Sequence, residues 1–167
     1  MENIKVDLVW QIGVVVKDAA ATAENYAKIF GLDRETFQPF NTSELPPELW
    51  KDTKWNGKPV KFDLKIINIQ FGGMQFEIIE PAGGDENEYS NFLKTTGGGI
   101  HHVNTVMPDM NGAIEFAKEN NINIVTEGNI AGLEYKYFDF KEQLGIICEG
   151  AIGIDAAFAK AATGVTD

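Results

Sequence analysis

The chain repeats itself, and the repeat limits the folds open to it. Gln11-Ile-Gly-Val-Val-Val-Lys-Asp18 is matched by His102-Val-Asn-Thr-Val-Met-Pro-Asp109. Each is a strand-like run ending in an aspartate, which caps a helix by accepting backbone N–H bonds. AAATAENYAKIFG follows the first run and MNGAIEFAKENN the second. Ala23, Tyr26, Ala27 and Phe30 form one helical stripe, and Met110, Ala113, Ile114 and Ala117 form the other. That spacing is the 3.6 period of an amphipathic helix. Glycine-bounded strand candidates come next: 34–40, 60–71 and 74–79 in the first half, 123–126, 134–140 and 145–151 in the second. The order is β-α-β-β-β, twice. Chance similarity of ordinary strand–helix units is the competing explanation. Recurrence of separate features in one order favours duplication, in which two copies complete one sheet or one site.

The expected fold is therefore α+β, with two βαβββ modules pairing into a cupped mixed sheet. The first module spans 6–80 and the second 99–152, joined by a linker at 81–98 that holds a short helix near 89–94. A tail follows from 153 to 167. Only the first half carries the stretch NTSELPPELWKDTKWNGK, residues 41–58. It reads either as a solvated loop anchored by Trp50 and Trp55 or as a lid or wall of a substrate pocket.

Charge and cysteine content narrow the function. Acidic residues outnumber basic ones 25 to 14, giving a net charge of −11. That field repels phosphate backbones, so nucleic acid is excluded as a partner. Cys148 stands alone, which rules out an intrachain disulfide and a thiolate zinc site. No apolar run approaches the roughly 18 residues a membrane span needs. MENIKVDLVW lacks the pattern of a secretory leader, and the expected location is the cytoplasm.

Strand alternation sorts the polar residues. Ile12, Val14 and Val16 face the helix of the first half; Val103, Thr105 and Met107 do so in the second. Gln11 and His102 then share the opposite face with Asn104, while His101 points away from His102 and takes a structural role. In MQFEIIEP and GIICEG the packed residues are Phe76, Ile78, Ile146 and Cys148, which leaves Glu77 and Glu149 on the other face. A carboxylate enters such an apolar strand only when something neutralises it. Each residue alone reads as an edge position meeting water. Together, Gln11, Glu77, His102 and Glu149 lie on the first and last strands of both modules and converge if the modules pair about a twofold. An imidazole, two carboxylates and an amide oxygen suit one divalent metal with open positions for substrate.

These residues carry a family resemblance. The chain from Val6 to Ile152 resembles the vicinal oxygen chelate superfamily, also called the glyoxalase/bleomycin-resistance/dioxygenase superfamily. FEIIEPAGGDENEYSNFLKTTGGGIHHV is most similar to methylmalonyl-CoA epimerases. The resemblance implies a metal-dependent isomerase or epimerase, dimeric, acting on a small-molecule substrate. In it a proton leaves the carbon next to a carbonyl and the metal stabilises an enediolate. Glu149 is expected to double as ligand and base, with Glu77 the second candidate. Asn104, Trp50 and Trp55 are expected at the substrate. The metal is open among zinc, cobalt, nickel, manganese and iron.

Gln11 stands where such epimerases carry histidine. The set Gln, Glu, His, Glu is similar to that of some glyoxalase I enzymes, which leaves a lactoylglutathione lyase open. A drug-binding protein of the bleomycin-resistance kind is a third reading, disfavoured by the retained polar set. Extradiol dioxygenase chemistry needs two inward histidines and is disfavoured too. Lys51, Lys54, Lys58 and Lys61 form a basic cluster that reads as solvated or as a contact for the phosphates of a CoA ester.

Overall fold

The computed structural model describes residues 3–164, so the end of the expected 153–167 tail lies outside the described residues. Within them ten strands form one curled mixed sheet, an α+β arrangement with five helices. The strands are β1 (Leu8–Val15), β2 (Gln38–Asn41), β3 (Trp50–Trp55), β4 (Lys58–Pro59), β5 (Phe62–Phe71), β6 (Met74–Gly84), β7 (Gly99–Val106), β8 (Ile124–Ile130), β9 (Leu133–Phe140) and β10 (Ile146–Ile152). The helices are α1 (Ala19–Phe30), α2 (Glu88–Thr96), α3 (Met110–Glu119), α4 (Lys141–Leu144) and α5 (Ala156–Thr163). Strand order is β2-β5-β6-β1-β7-β10-β9-β8-β3-β4. β1 runs antiparallel to β7 at the centre, and each has a parallel neighbour, β6 or β10.

That order is a pseudo-twofold, and the register fixes its equivalences. Across β1 and β7, Gln11 faces Asn104 and Gly13 faces His102. Gly13 faces Glu77 on one side just as Asn104 faces Glu149 on the other. Gln11 is thus the counterpart of His102, Gly13 of Asn104, and Glu77 of Glu149.

The two central helices form for the reasons their sequences give. Asp18 accepts from the Ala21 N–H, and Gly31 closes α1 in the left-handed conformation at φ 67°. Asp109 accepts from the Gly112 N–H at the start of α3. Small residues let both helices lie close to the sheet. Ala19 and Ala23 pack with Val14, Val16, Ile69 and Ile78; Ala113 and Ala117 pack with Val103, Met107, Phe138 and Cys148.

The structure departs from the sequence reading in several places. Only the end of 34–40 is a strand; Asp33 accepts from the Glu35 N–H and turns Arg34–Thr36 into a 3₁₀ helix. Residues 41–58 are no loop. β3 pairs antiparallel with β8 of the second half, and Asn56-Gly57, both at positive φ, turn it into β4. The helix expected near 89–94 is present as α2, and the described part of the 153–167 tail forms α5, so each half closes on a helix. α2 covers His101, with ring centroids 4.9 Å from Phe92 and 5.2 Å from Tyr89. α5 covers Trp10 in the same manner, with Phe158 at 6.0 Å.

His101 is the main correction. The β1–β7 register shifts twice, and the residues left over are Trp10 and His101. These are symmetry-related β-bulges, which re-aim side chains and break strict alternation. His101 therefore does not point away from His102. Both are buried, and their Nδ1 atoms lie 3.1 Å apart.

Candidate active site

The four central strands bring three of the four expected ligands, His102, Glu77 and Glu149, to one place. His102, fully buried on β7, lies over Gly13, where a Cβ would meet its ring at 2.0 Å. Only glycine leaves room for the imidazole. His102 Nε2 lies 3.3 Å from Glu149 Oε2 and 3.6 Å from Glu77 Oε2. The Tyr137 hydroxyl is 3.5 Å from the same nitrogen and shares a 2.8 Å hydrogen bond with the Tyr89 hydroxyl.

Glu77 and Glu149 line a cavity of about 70 Å³ with Phe40, Trp50, Tyr89 and Tyr137. A water occupies about 30 Å³ of liquid. The cavity has room for a few atoms rather than a whole cofactor-sized molecule. A second groove, of about 670 Å³, is formed by the 41–58 segment and shares Trp50 with the first. Leu45, Pro47 and Phe62 give it apolar walls, and Lys51 and Lys61 line it as well. Lys54 is also at this groove but pairs with Glu127 at 3.1 Å. Trp55 is partly buried on β3 and lines neither space.

Gln11 and Asn104 form a different kind of cluster. Asn104 donates to Gln11 Oε1 at 3.1 Å, and Gln11 Nε2 donates to Gln75 Oε1 at 2.7 Å. Gln75 in turn donates to the Ala162 carbonyl of α5 at 3.3 Å. This amide chain is buried and neutral.

Burial and charge set the protonation of the centre. Burial alone depresses the His102 imidazolium, but hydrogen bonds and charge from Glu149 and Glu77 outweigh it and push the pKa up to about 9. Burial raises the Glu149 carboxyl, and the like charge of Glu77 adds to that, against the pull of His102. Tyr89 and Tyr137 are held well above the ordinary phenol range, first by burial and then by the carboxylates, so both remain neutral donors.

A divalent metal fits part of this set. Tetrahedral metal–ligand bonds of 2.0–2.2 Å place neighbouring donors about 3.3–3.6 Å apart. The His102 separations are close to that. One imidazolium also leaves two partly buried carboxylates short of one positive charge, and a divalent ion in place of the proton supplies it. Gln11 fits less directly, since Asn104 already takes one lone pair of its oxygen. Among the described residues no group of three or more His, Cys, Asp or Glu side chains is already assembled as a metal cluster.

The sequence reading missed Tyr89, Tyr137, Gly13 and Glu88. Tyr137 was within reach of it: it faces Glu149 in register and alternates with Tyr135 along β9. Nothing local in the sequence announces the role of Gly13 or Glu88.

A family profile for the glyoxalase/bleomycin resistance protein/dioxygenase superfamily matches residues 10–138. The chain belongs to that superfamily. Among solved structures it is similar to a serine-to-threonine variant of Streptomyces coelicolor methylmalonyl-CoA epimerase in complex with 2-nitronate-propionyl-CoA. The identity is 15%, the match covers 91% of this chain and 99% of that one, and the TM-score is 0.59. Methylmalonyl-CoA epimerase from Mycobacterium tuberculosis is similar at 14% identity, with 90% and 91% covered and a TM-score of 0.59. A protein of Bacillus halodurans C-125 described as hypothetical is similar at 18% identity, with 86% and 92% covered and a TM-score of 0.58. At such identities the likeness concerns the fold. No curated protein matches the sequence.

Proposed function

We propose that this chain is a metal-dependent isomerase of the epimerase type, moving a proton on a carbon next to a carbonyl. The observation that carries the reading is the group of buried His102 Nε2 with partly buried Glu77 and Glu149, whose carboxylates line a small aromatic cavity. His102, Glu77 and Glu149 would hold the ion, with Gln11 as fourth donor through its remaining lone pair. The ion supplies Lewis-acid stabilisation of the charge that develops on the substrate's oxygen. Glu149, whose burial makes it a stronger base than an exposed carboxylate, takes the proton. Glu77 faces the same cavity and supplies the second carboxyl that inversion at carbon requires. The neutral Tyr89–Tyr137 pair is a ready donor to a substrate oxygen, and Trp50 and Phe40 limit water.

A CoA thioester is the substrate class we favour, since the similar epimerase structure holds one. The groove beside Trp50 offers a path for its long arm, with Lys51 and Lys61 toward the phosphates. The donor set also supports a second reading, a glyoxalase I-like lyase acting on a glutathione hemithioacetal. A homodimer in the cytoplasm is part of the same reading, and light scattering of the purified chain tests the dimer.

Solvent-deuterium exchange over methylmalonyl-CoA and the methylglyoxal–glutathione hemithioacetal tests the reaction. Glu149→Gln is expected to lower exchange by about 10²- to 10⁴-fold with folding intact. Full exchange in that variant ends the base assignment. Metal analysis that finds no stoichiometric divalent ion favours a binding protein instead.

A further inference from the structure

Behind His102, on the side away from the cavity, lies a second buried set that the proposed reaction does not use. Glu88 opens α2 and is 7% exposed, and His101 is 4% exposed. Glu88 Oε2 accepts from the Thr126 hydroxyl, and Oε1 lies 3.4 Å from His101 Nε2. His101 Nδ1 then meets His102 Nδ1 at 3.1 Å.

An Nδ1–Nδ1 contact needs one proton between two nitrogens, and the Glu88 carboxylate 3.4 Å behind His101 favours placing it on His102. Facing a carboxylate, His101 Nε2 must carry its proton, because a bare nitrogen would set lone pair against negative charge. Neutral His101 then has an unprotonated Nδ1, which can only accept. The proton in the contact therefore belongs to His102 Nδ1. Nε2, which faces Glu77 and Glu149, is protonated as well while no ion is bound; with Nδ1 keeping its proton toward His101, Nε2 is the nitrogen whose proton an ion can replace. The opposite arrangement would place a proton on Nε2 of neutral His102 and close it as a ligand.

We propose that Glu88 and His101 are positioning residues that fix the hydrogen-bond direction of His102, so that its Nε2 lone pair is kept for the cavity. Outer partners of this kind set ring tautomer and orientation. The helix that follows the first module thus sends the carboxylate of its first residue, through one histidine, to the candidate site of the second. The β-bulge makes this possible by turning His101 to the same side as His102. The symmetric bulge carries Trp10, which has no ring lone pair to accept with, so the first half has no such device.

The inference rests on His102 being the site's imidazole, but its test needs no substrate. Nitrogen-15 NMR of the histidine rings in the metal-free protein near pH 7 is expected to show His101 protonated at Nε2 and bare at Nδ1 beside a doubly protonated His102, and in the Zn²⁺-loaded protein His102 protonated at Nδ1. His101 protonated at Nδ1 overturns the proposal. Glu88→Met keeps side-chain length and removes the acceptor. In that variant affinity for added Co²⁺, read from its visible absorption, is expected to fall about 10- to 100-fold. Unchanged affinity in folded Glu88→Met also overturns it. If Glu88→Met does not fold, His101→Phe, which suits the pocket of Tyr89 and Phe92, is expected to show the same loss of Co²⁺ affinity; unchanged affinity there counts against the relay.

Discussion

The two halves share a backbone and differ in what they place at equivalent positions. The first half puts Gln11 at the centre and binds it at both ends with neutral amides, Asn104 and Gln75. The second puts His102 there, with Glu149 from its own half and Glu77 from the other. One bulge carries Trp10 under α5 and the other His101 under α2. The frame is therefore symmetric while its two centres differ: one is a neutral chain of amides, the other a charged group. The small residue that makes this asymmetry possible is Gly13. Its counterpart Asn104 has a side chain, whereas Gly13 leaves its space to the imidazole.

That comparison predicts unequal effects at equivalent positions. The largest is at the centre. His102→Gln copies the residue of the first half into the second, and solvent-deuterium exchange is expected to fall by about 10²- to 10⁴-fold. Gln11→Ala is expected to lower exchange less. It instead costs about 1–3 kcal/mol in urea unfolding, because Asn104 and Gln75 lose a buried partner. Equal loss of exchange in both would show that both halves carry the chemistry.

A pH titration separates the halves without any mutation. In metal-free protein the His102 pKa is about 9 against an ordinary 6.5. Its imidazolium therefore stabilises the fold fully below about pH 6.5, and that stability is lost as pH rises through 9. The loss is on the order of 3 kcal/mol. Glu149, also raised, acts with the same sign at lower pH. A denaturation midpoint that stays level from about pH 6.5 to about 9.5 would contradict the charged centre. His102→Gln should flatten the upper limb, and Gln11→Ala should keep it.

Gly13→Ala forces a methyl against the ring and is expected to cost about 1–3 kcal/mol, seen in thermal or urea unfolding. Asn104→Ala removes one hydrogen bond at the equivalent place and is expected to cost about 1 kcal/mol. The reverse order would mean that His102 moves aside freely. The smallest effect is at the bulges. Trp10→Phe loosens the contact with Phe158 and is expected to cost less than about 1.5 kcal/mol, leaving the histidine spectrum unchanged.

Much of this was legible in the chain because it depends on local period. The helix stripes, the capping Asp18 and Asp109, and the inward faces carrying Gln11, Glu77, His102 and Glu149 follow from 3.6- and 2-residue spacing, and the repeat gave them a common frame. The repeat also carried the superfamily resemblance. Alternation failed at His101, since a bulge depends on how β7 registers against a strand some ninety positions earlier, not on its own residues. The same holds for Trp50, which reaches the cavity because β3 pairs with β8, and for Trp55, which does not. Gln11 has one set of neighbours by sequence and another in space; only the register shows that Asn104 and Gln75 hold its amide. The sequence determined which residues face inward, because side-chain direction in a strand is local. Tertiary structure decided which of them touch, because sheet register, a close approach at Gly13 and the covering helices are set by distant segments.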